Sequence, residues 1–331
     1  MLLRFFKGTG PGVIFLLIIT FGLLWISAFL NPQLPCSNIY ETRPMPLYSV
    51  VKFLFGSKPL PGVIFSFAIL SIMLFLLVNF NTSVFFINER TFLPAVIYVL
   101  FGALFPEDQV LNPVLPATLF LMLSFRRIMD SYRKPGIAFN FFDASVLISL
   151  GSLFYANLIW FGLLVLIGIA LLRPGNITEI SSALIGLVTP YILIFGLYYV
   201  LGKDPGILLG DIRENLFGDS QGYSFQRLTI VVLIYSGIMI LISTGYLLRG
   251  INSKKIKSRK TFYLLLWGFF LSLAVYFFLP SVSVELVWIT AIPVSYLLAN
   301  YFVFVKKKII PGIIFSGFCL LVLLVQALYI F

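Results

Sequence analysis

The chain has 331 residues, 60% of them hydrophobic and only 11% charged, with 23 Lys and Arg against 12 Asp and Glu and no histidine. Soluble domains carry about 25% charged residues, so a water-soluble fold is excluded, and a mean hydropathy of +1.05 agrees. The net charge of +11 would suit a nucleic-acid partner if it formed one basic face, but the bases lie in short connections beside apolar runs, and no nucleic acid is expected.

Backbone polar groups in lipid must be satisfied within the spanning element itself. Long apolar runs without strict alternation therefore point to an all-α, polytopic fold. Arg4 and Lys7 precede a first run at residues 12–30, which is long for a signal-peptide core and lacks an A-x-A-like end, so it reads as a retained span. The first long connection, residues 31–61, is rich in proline and contains LYSVVKFLFG, whose apolar residues suit a short interfacial helix.

A second span follows at residues 62–80. The next region is broken, with short apolar stretches at 92–105 and 114–125 and a run of about thirty residues at 143–172, notched by Tyr155, Ala156 and Asn157. A membrane crossing needs about 20 apolar residues, and the run at 143–172 divides into two short helices meeting at the notch. Five more spans cover residues 183–201, 228–248, 262–279, 286–305 and 309–331. The expectation is about eleven transmembrane helices in one integral membrane domain over residues 1–331.

Charge tests this threading. With the N-terminus cytoplasmic, only Arg43, Lys52, Lys58, Lys203, Arg213 and Arg227 lie outside, leaving seventeen of the 23 bases inside. Treating residues 143–172 as one span would invert everything downstream and expose RGINSKKIKSRK on the outer side, against the positive-inside rule. The reading is a bacterial inner-membrane protein with its C-terminus outside. Its basic inner loops, 126–136 and 249–261, also attract anionic membrane lipids, although topology alone accounts for them.

Cys36 and Cys319 are too few and too far apart for a disulfide framework. Without histidine, neither zinc nor haem is expected. Outer carboxylates are the candidates for chemistry. Glu107 and Asp108 sit side by side in FPEDQVLNP and suit a divalent cation or a general base, or else a solvated turn between two helices. Glu41, in IYETRP, is the acid of the first outer connection and equally an exposed partner for Arg43.

The second outer connection, residues 202–227, contains Asp204, Asp211, Arg213 and Glu214, with a short helix expected over residues 207–217. Asp211 and Glu214, three apart, share one side of such a helix while Arg213 points elsewhere. Arg213, or Arg227 at the end of the connection, offers a planar fork of donors for a phosphate; a solvated surface helix is the plain alternative. Glu285 marks the start of a span, where acids favour the helix N-terminus. Asn157, Thr189 and Asn300 read as helix-packing contacts.

The inside N-terminus, the interfacial stretch in the first outer loop, the acids between short spans and the segment FDASVLISLGSLFYANLIWFGLLVLIGIALL together resemble the GT-C class of polyprenyl-phosphate-dependent glycosyltransferases. The whole chain also resembles an uncharacterised family of Phe- and Ile-rich polytopic inner-membrane proteins of Bacteroidetes. The GT-C resemblance covers roughly residues 1–230. It implies catalysis on the outer face, a polyprenyl-phosphate sugar as donor, Glu41 as the first-loop carboxylate and Glu107 with Asp108 as the second-loop acidic pair, with Arg213 or Arg227 on phosphate. The first loop departs from that class in having a single acid in place of a D-x-D or Asp-Glu pair.

The expected function is a GT-C-like glycosyltransferase, or a degenerate relative, in envelope glycan assembly. A transporter or flippase of lipid-linked or amphipathic substrates, and a non-catalytic subunit of an envelope complex, are the alternatives.

Overall fold

The computed structural model describes Leu3, Phe6, Gly8 and residues 10–34, 43–84, 86–87, 89–132, 138–173, 177–219, 226–306 and 309–330. Among the described residues there is no β-strand, and six helices are long and apolar enough to cross a membrane. The protein is an all-α, multi-pass membrane protein.

The elements in chain order are α1 (Pro11–Leu24), α2 (Ile26–Leu30), α3 (Pro46–Phe55), α4 (Pro59–Val84), α5 (Leu93–Gly102), α6 (Val114–Asp130), α7 (Ala138–Ser152), α8 (Gly162–Leu172) and α9 (Ile177–Val200). They continue with α10 (Pro205–Phe217), α11 (Arg227–Gly250), α12 (Ile256–Phe278), α13 (Val287–Phe304) and α14 (Ile309–Ile330). The first apolar run is thus two helices meeting at Trp25, and the interfacial stretch is α3, with Val50, Phe53 and Leu54 exposed.

Helices apolar on every side belong inside a bundle. Every residue of α5 is buried, and so is α13 from Trp288 to Val303 apart from Thr290. These two helices pack on each other and form the centre. Gly102 permits the closest approach, since a Cβ there would collide with the Trp288 ring. The Tyr98 hydroxyl donates to the Trp288 carbonyl at 3.1 Å, and Tyr296 donates to the Leu77 carbonyl of α4 at 2.7 Å.

The run at 143–172 breaks as its notch requires. Helix α7 ends at Ser152, a 3-10 turn covers Ala156–Phe161, and α8 follows. Gly151, late in α7, lies against Ala117 and Phe120 at the start of α6, while Asp143, early in α7, faces Arg127 near the end of α6 at 3.7 Å. Gly168, late in α8, meets Ile128, and Leu164 lies with Phe125 against Gly268. Helix α7 therefore runs opposite to α6 and α8 runs with it, so α7 and α8 form a hairpin with its tip at residues 153–161.

Two ends of the molecule follow from such contacts. One carries the hairpin tip, α3, the turn between α5 and α6, α10 and the α12–α13 connection. The other carries Arg127 and Asp143, Arg173 bonded to Glu179 at 3.0 Å, and Lys254 beside Asn300. The second end holds Arg90, Arg126, Arg249 and the bases of residues 254–260. The sequence separates these charges; the packing gathers them on one end.

Candidate functional site

At the tip end, residues from four distant stretches of chain converge. Arg43, just before α3, lies across α10, its Nη1 2.7 Å from Asp211 Oδ1 and its Nε 3.0 Å from Glu214 Oε2. The hydrogen bond that Arg43 donates to Asp211, with the Glu214 charge behind it, holds the guanidinium pKa above its ordinary value. Asp204 caps α10 by accepting from the Gly206 backbone N–H at 2.8 Å, and Pro205 at the first helical position suits that start.

Asn215, one turn from Asp211 and buried, locks the clasp to the backbone. Its Oδ1 accepts from the Arg43 N–H at 3.1 Å and its Nδ2 donates to the Arg43 carbonyl at 2.7 Å. The Asn215 carbonyl in turn accepts from Asn157 Nδ2 of the hairpin tip at 3.2 Å. Ser281, between α12 and α13, donates to Asn157 Oδ1 at 3.3 Å and to the Leu216 carbonyl at 2.9 Å. The polar notch is thus the hub joining both long connections to the α12–α13 connection.

Beneath this hub lies Glu285, with no solvent exposure. Its Oε1 accepts from the Tyr155 hydroxyl and from the Ser283 N–H, both at 3.0 Å, and its Oε2 has no hydrogen-bond partner. Ser283 and Glu285 open the 3-10 turn Val284–Leu286 that leads into α13, so the acid does stand at a helix start, as its position suggests. The sequence hid its burial and its tie to Tyr155, 130 residues away; the signal available was a tyrosine inside the notch.

The FPEDQVLNP turn is folded inward. Asp108 and Gln109 are buried and Glu107 is half-buried, so the solvated-turn alternative holds for neither of the first two. The backbone of this turn is satisfied by other helices: Tyr48 of α3 donates to the Leu111 carbonyl at 3.1 Å and Ser66 of α4 to the Val110 carbonyl at 2.7 Å. Irregular backbone inside a membrane fold is tolerated where protein surrounds it in this way. Gln109 Nε2 also donates to the Leu24 carbonyl at 3.0 Å, fixing the turn to α1.

A lateral groove of about 590 Å³ opens between α11, α12 and α13, walled by Leu233, Gly237, Leu241, Phe270, Leu273 and Phe277. Its lining is almost wholly apolar. It reaches Phe105, before the acidic turn, and Ser283, whose N–H is held by Glu285.

Two other sequence candidates, Arg213 and Arg227, fall at this same end. Both are exposed, with Arg213 turned away from the Arg43 clasp. Glu41 and Cys36 lie outside the described residues, and Cys319 is a free, partly buried thiol of α14. Among the described residues no three acids or thiols assemble into a group that could hold a metal ion. The Asp211 and Glu214 pair is occupied by Arg43.

The family match spans residues 44–330. The chain belongs to the DUF6427 family. This is a family of unknown function, and the match takes in every element from α3 to α14. No curated protein and no solved structure matches the chain.

Proposed function

We propose that this DUF6427 member takes a lipid-linked substrate from the bilayer and acts as a GT-C-like glycosyltransferase, or a degenerate relative, on a polyprenyl-linked sugar in a bacterial inner membrane. The observation that carries this reading is the groove. An apolar cleft open to the side of a helical bundle, ending at Ser283 beside a buried acid and at the mouth of the acidic turn, suits an isoprenoid tail with its phosphate-sugar head at the tip end.

In this reading the chain crosses eleven times, with the N-terminus cytoplasmic and the tip end and C-terminus outside. The α7–α8 hairpin and the gathering of bases at the opposite end support that count and orientation. Glu107, half-buried at the turn, is the carboxylate best able to reach an acceptor hydroxyl as base. Asp108 behind it is a positioning residue, and Arg213 and Arg227 supply the positive field for the polyprenyl phosphate. The acceptor oxygen attacks the anomeric carbon, its proton passes to the base, and the polyprenyl phosphate departs with inversion. Glu41, on the chain leading to Arg43, joins the acids of this face by sequence position.

The test is sugar transfer in proteoliposomes charged with a polyprenyl-phosphate sugar, for wild type, Glu107→Gln, Glu41→Gln and the double variant Arg213→Ala with Arg227→Ala. Loss of transfer with intact protein levels supports the reading. Transfer unchanged in all of them sinks the assignments; movement of the lipid-linked sugar across the bilayer without transfer would establish a flippase instead.

A further inference from the structure

At the opposite, basic end of the molecule a second cleft of about 400 Å³ lies between the end of α11, the end of α13 and the start of α14. Its lining is mixed, in contrast to the groove: Tyr246, Tyr301, Val305, Lys306, Ile310 and Pro311. We propose that this cleft binds the phosphate of an anionic phospholipid, with Lys306 as its cation and Tyr301 as its hydroxyl donor.

Three independent features converge on that ligand. The first is charge. Lys306 is exposed at the rim, and Lys254 sits over the Phe304 ring at 4.7 Å on the neighbouring side, fixed by a 2.9 Å hydrogen bond to Asn300 Oδ1. Basic pockets between transmembrane helices favour anionic headgroups in this way.

The second is the geometry of the tyrosines. Tyr246 donates to the Phe304 carbonyl at 2.9 Å and so is fixed, and its ring meets Tyr301 edge-on at 5.5 Å. Tyr301 is thereby held in the wall of the cleft with its hydroxyl available to a phosphate oxygen. The opening turn of α14, with backbone N–H groups that have no intrahelical acceptor, closes the same side.

The third feature separates a lipid from free phosphate. Ile309, Ile310 and Ile313 beside the cleft are all more than half exposed, at 78%, 58% and 67%. That surface is a place for acyl chains directly below the headgroup position. The inference requires only that the helices lie in a bilayer and is independent of what the tip end does.

Native mass spectrometry of the full chain released from nanodiscs of mixed phosphatidylglycerol and phosphatidylcholine tests it. Wild type is expected to retain phosphatidylglycerol preferentially, and Lys306→Glu to lower that preference about tenfold. Tyr301→Phe, which keeps the ring contact, should lower it several-fold, while Lys203→Glu at the other end leaves it unchanged. Equal retention of the two lipids by wild type, or an unchanged preference in Lys306→Glu, overturns the proposal. So does an equal thermal stabilisation by inorganic phosphate in neutral nanodiscs, which would make the cleft a site for soluble phosphate.

Discussion

Tyr155 donates its hydroxyl to Glu285 at 3.0 Å, tying the tip of the α7–α8 hairpin to the 3-10 turn that leads into the central helix α13. The partners lie 130 residues apart, and both are buried. Around them the Asn157 and Ser281 contacts repeat the same connection nearer the surface, so the hairpin tip and the α12–α13 connection are tied into one body. The end of the groove at Ser283 is set by this body, because the Ser283 N–H is bonded to the same Glu285 oxygen.

Removing that hydroxyl should be costly. Tyr155→Phe leaves Glu285 Oε1 with the Ser283 N–H alone and should lower unfolding stability in detergent by about 1–3 kcal/mol. Glu285→Gln, which keeps an acceptor for both donors, should lose less than Glu285→Ala. A denaturant titration in which Tyr155→Phe matches wild type would show that the bond carries no stability.

At the Arg43 clasp the buried amide should outweigh the exposed ions. Asn215→Ala removes two bonds to the Arg43 backbone, an expected loss of about 1–2 kcal/mol. Arg43→Ala removes pairs that water and salt already screen. Its smaller effect should fade as salt is raised, whereas that of Asn215→Ala should persist. The reverse order in a thermal melt would place the weight on the ion pairs.

The centre of the bundle has no room at Gly102. Gly102→Ala drives a methyl into the Trp288 ring, with an expected cost of about 1–3 kcal/mol, and adding Trp288→Phe should recover part of it. A fully stable Gly102→Ala would contradict the close packing of α5 on α13.

Lys254 gives the basic end a dependence on pH. Burial lowers its pKa below the usual lysine value, so between the lowered value and about 10.4 the unfolded chain binds a proton that the folded chain does not. Stability from this group therefore rises with pH across that window, and the penalty is fully present below it. Lys254→Met should flatten the slope between wild type and variant melts at alkaline pH; an identical slope would mean that the side chain is solvated.

Much of the fold was legible because it depends on local composition. The six long helices follow runs of apolar residues, and the notch at Tyr155, Ala156 and Asn157 marked a real break because polar groups there find partners only outside a continuous helix. Helix α12 begins six residues before its expected span, since Lys257, Arg259 and Lys260 extend a helix into the interface without cost to its apolar part. The pairing of Asp211 with Glu214 on one side of α10 was also readable from their spacing. Their partner was not: Arg43 lies 168 residues away from Asp211, and only the tertiary fold brings them together. The burial of Asp108 and Glu285 escaped for the same reason, because an acid beside a turn or a helix start looks alike in sequence whether water or protein covers it.

The central claim is that the lateral groove receives the isoprenoid tail of the substrate. Gly237 faces open space in the groove wall, and a Cβ added there meets no atom within 4 Å, as is also true of Gly245, just over two turns further along α11 but outside the groove lining. Photo-crosslinking of a diazirine-tagged polyprenyl phosphate to wild type, Gly237→Trp and Gly245→Trp in proteoliposomes therefore compares an open groove with one narrowed at Gly237, with Gly245→Trp as a control outside it. The account predicts strong labelling of wild type and Gly245→Trp and loss of labelling in Gly237→Trp. Equal labelling of all three would contradict it.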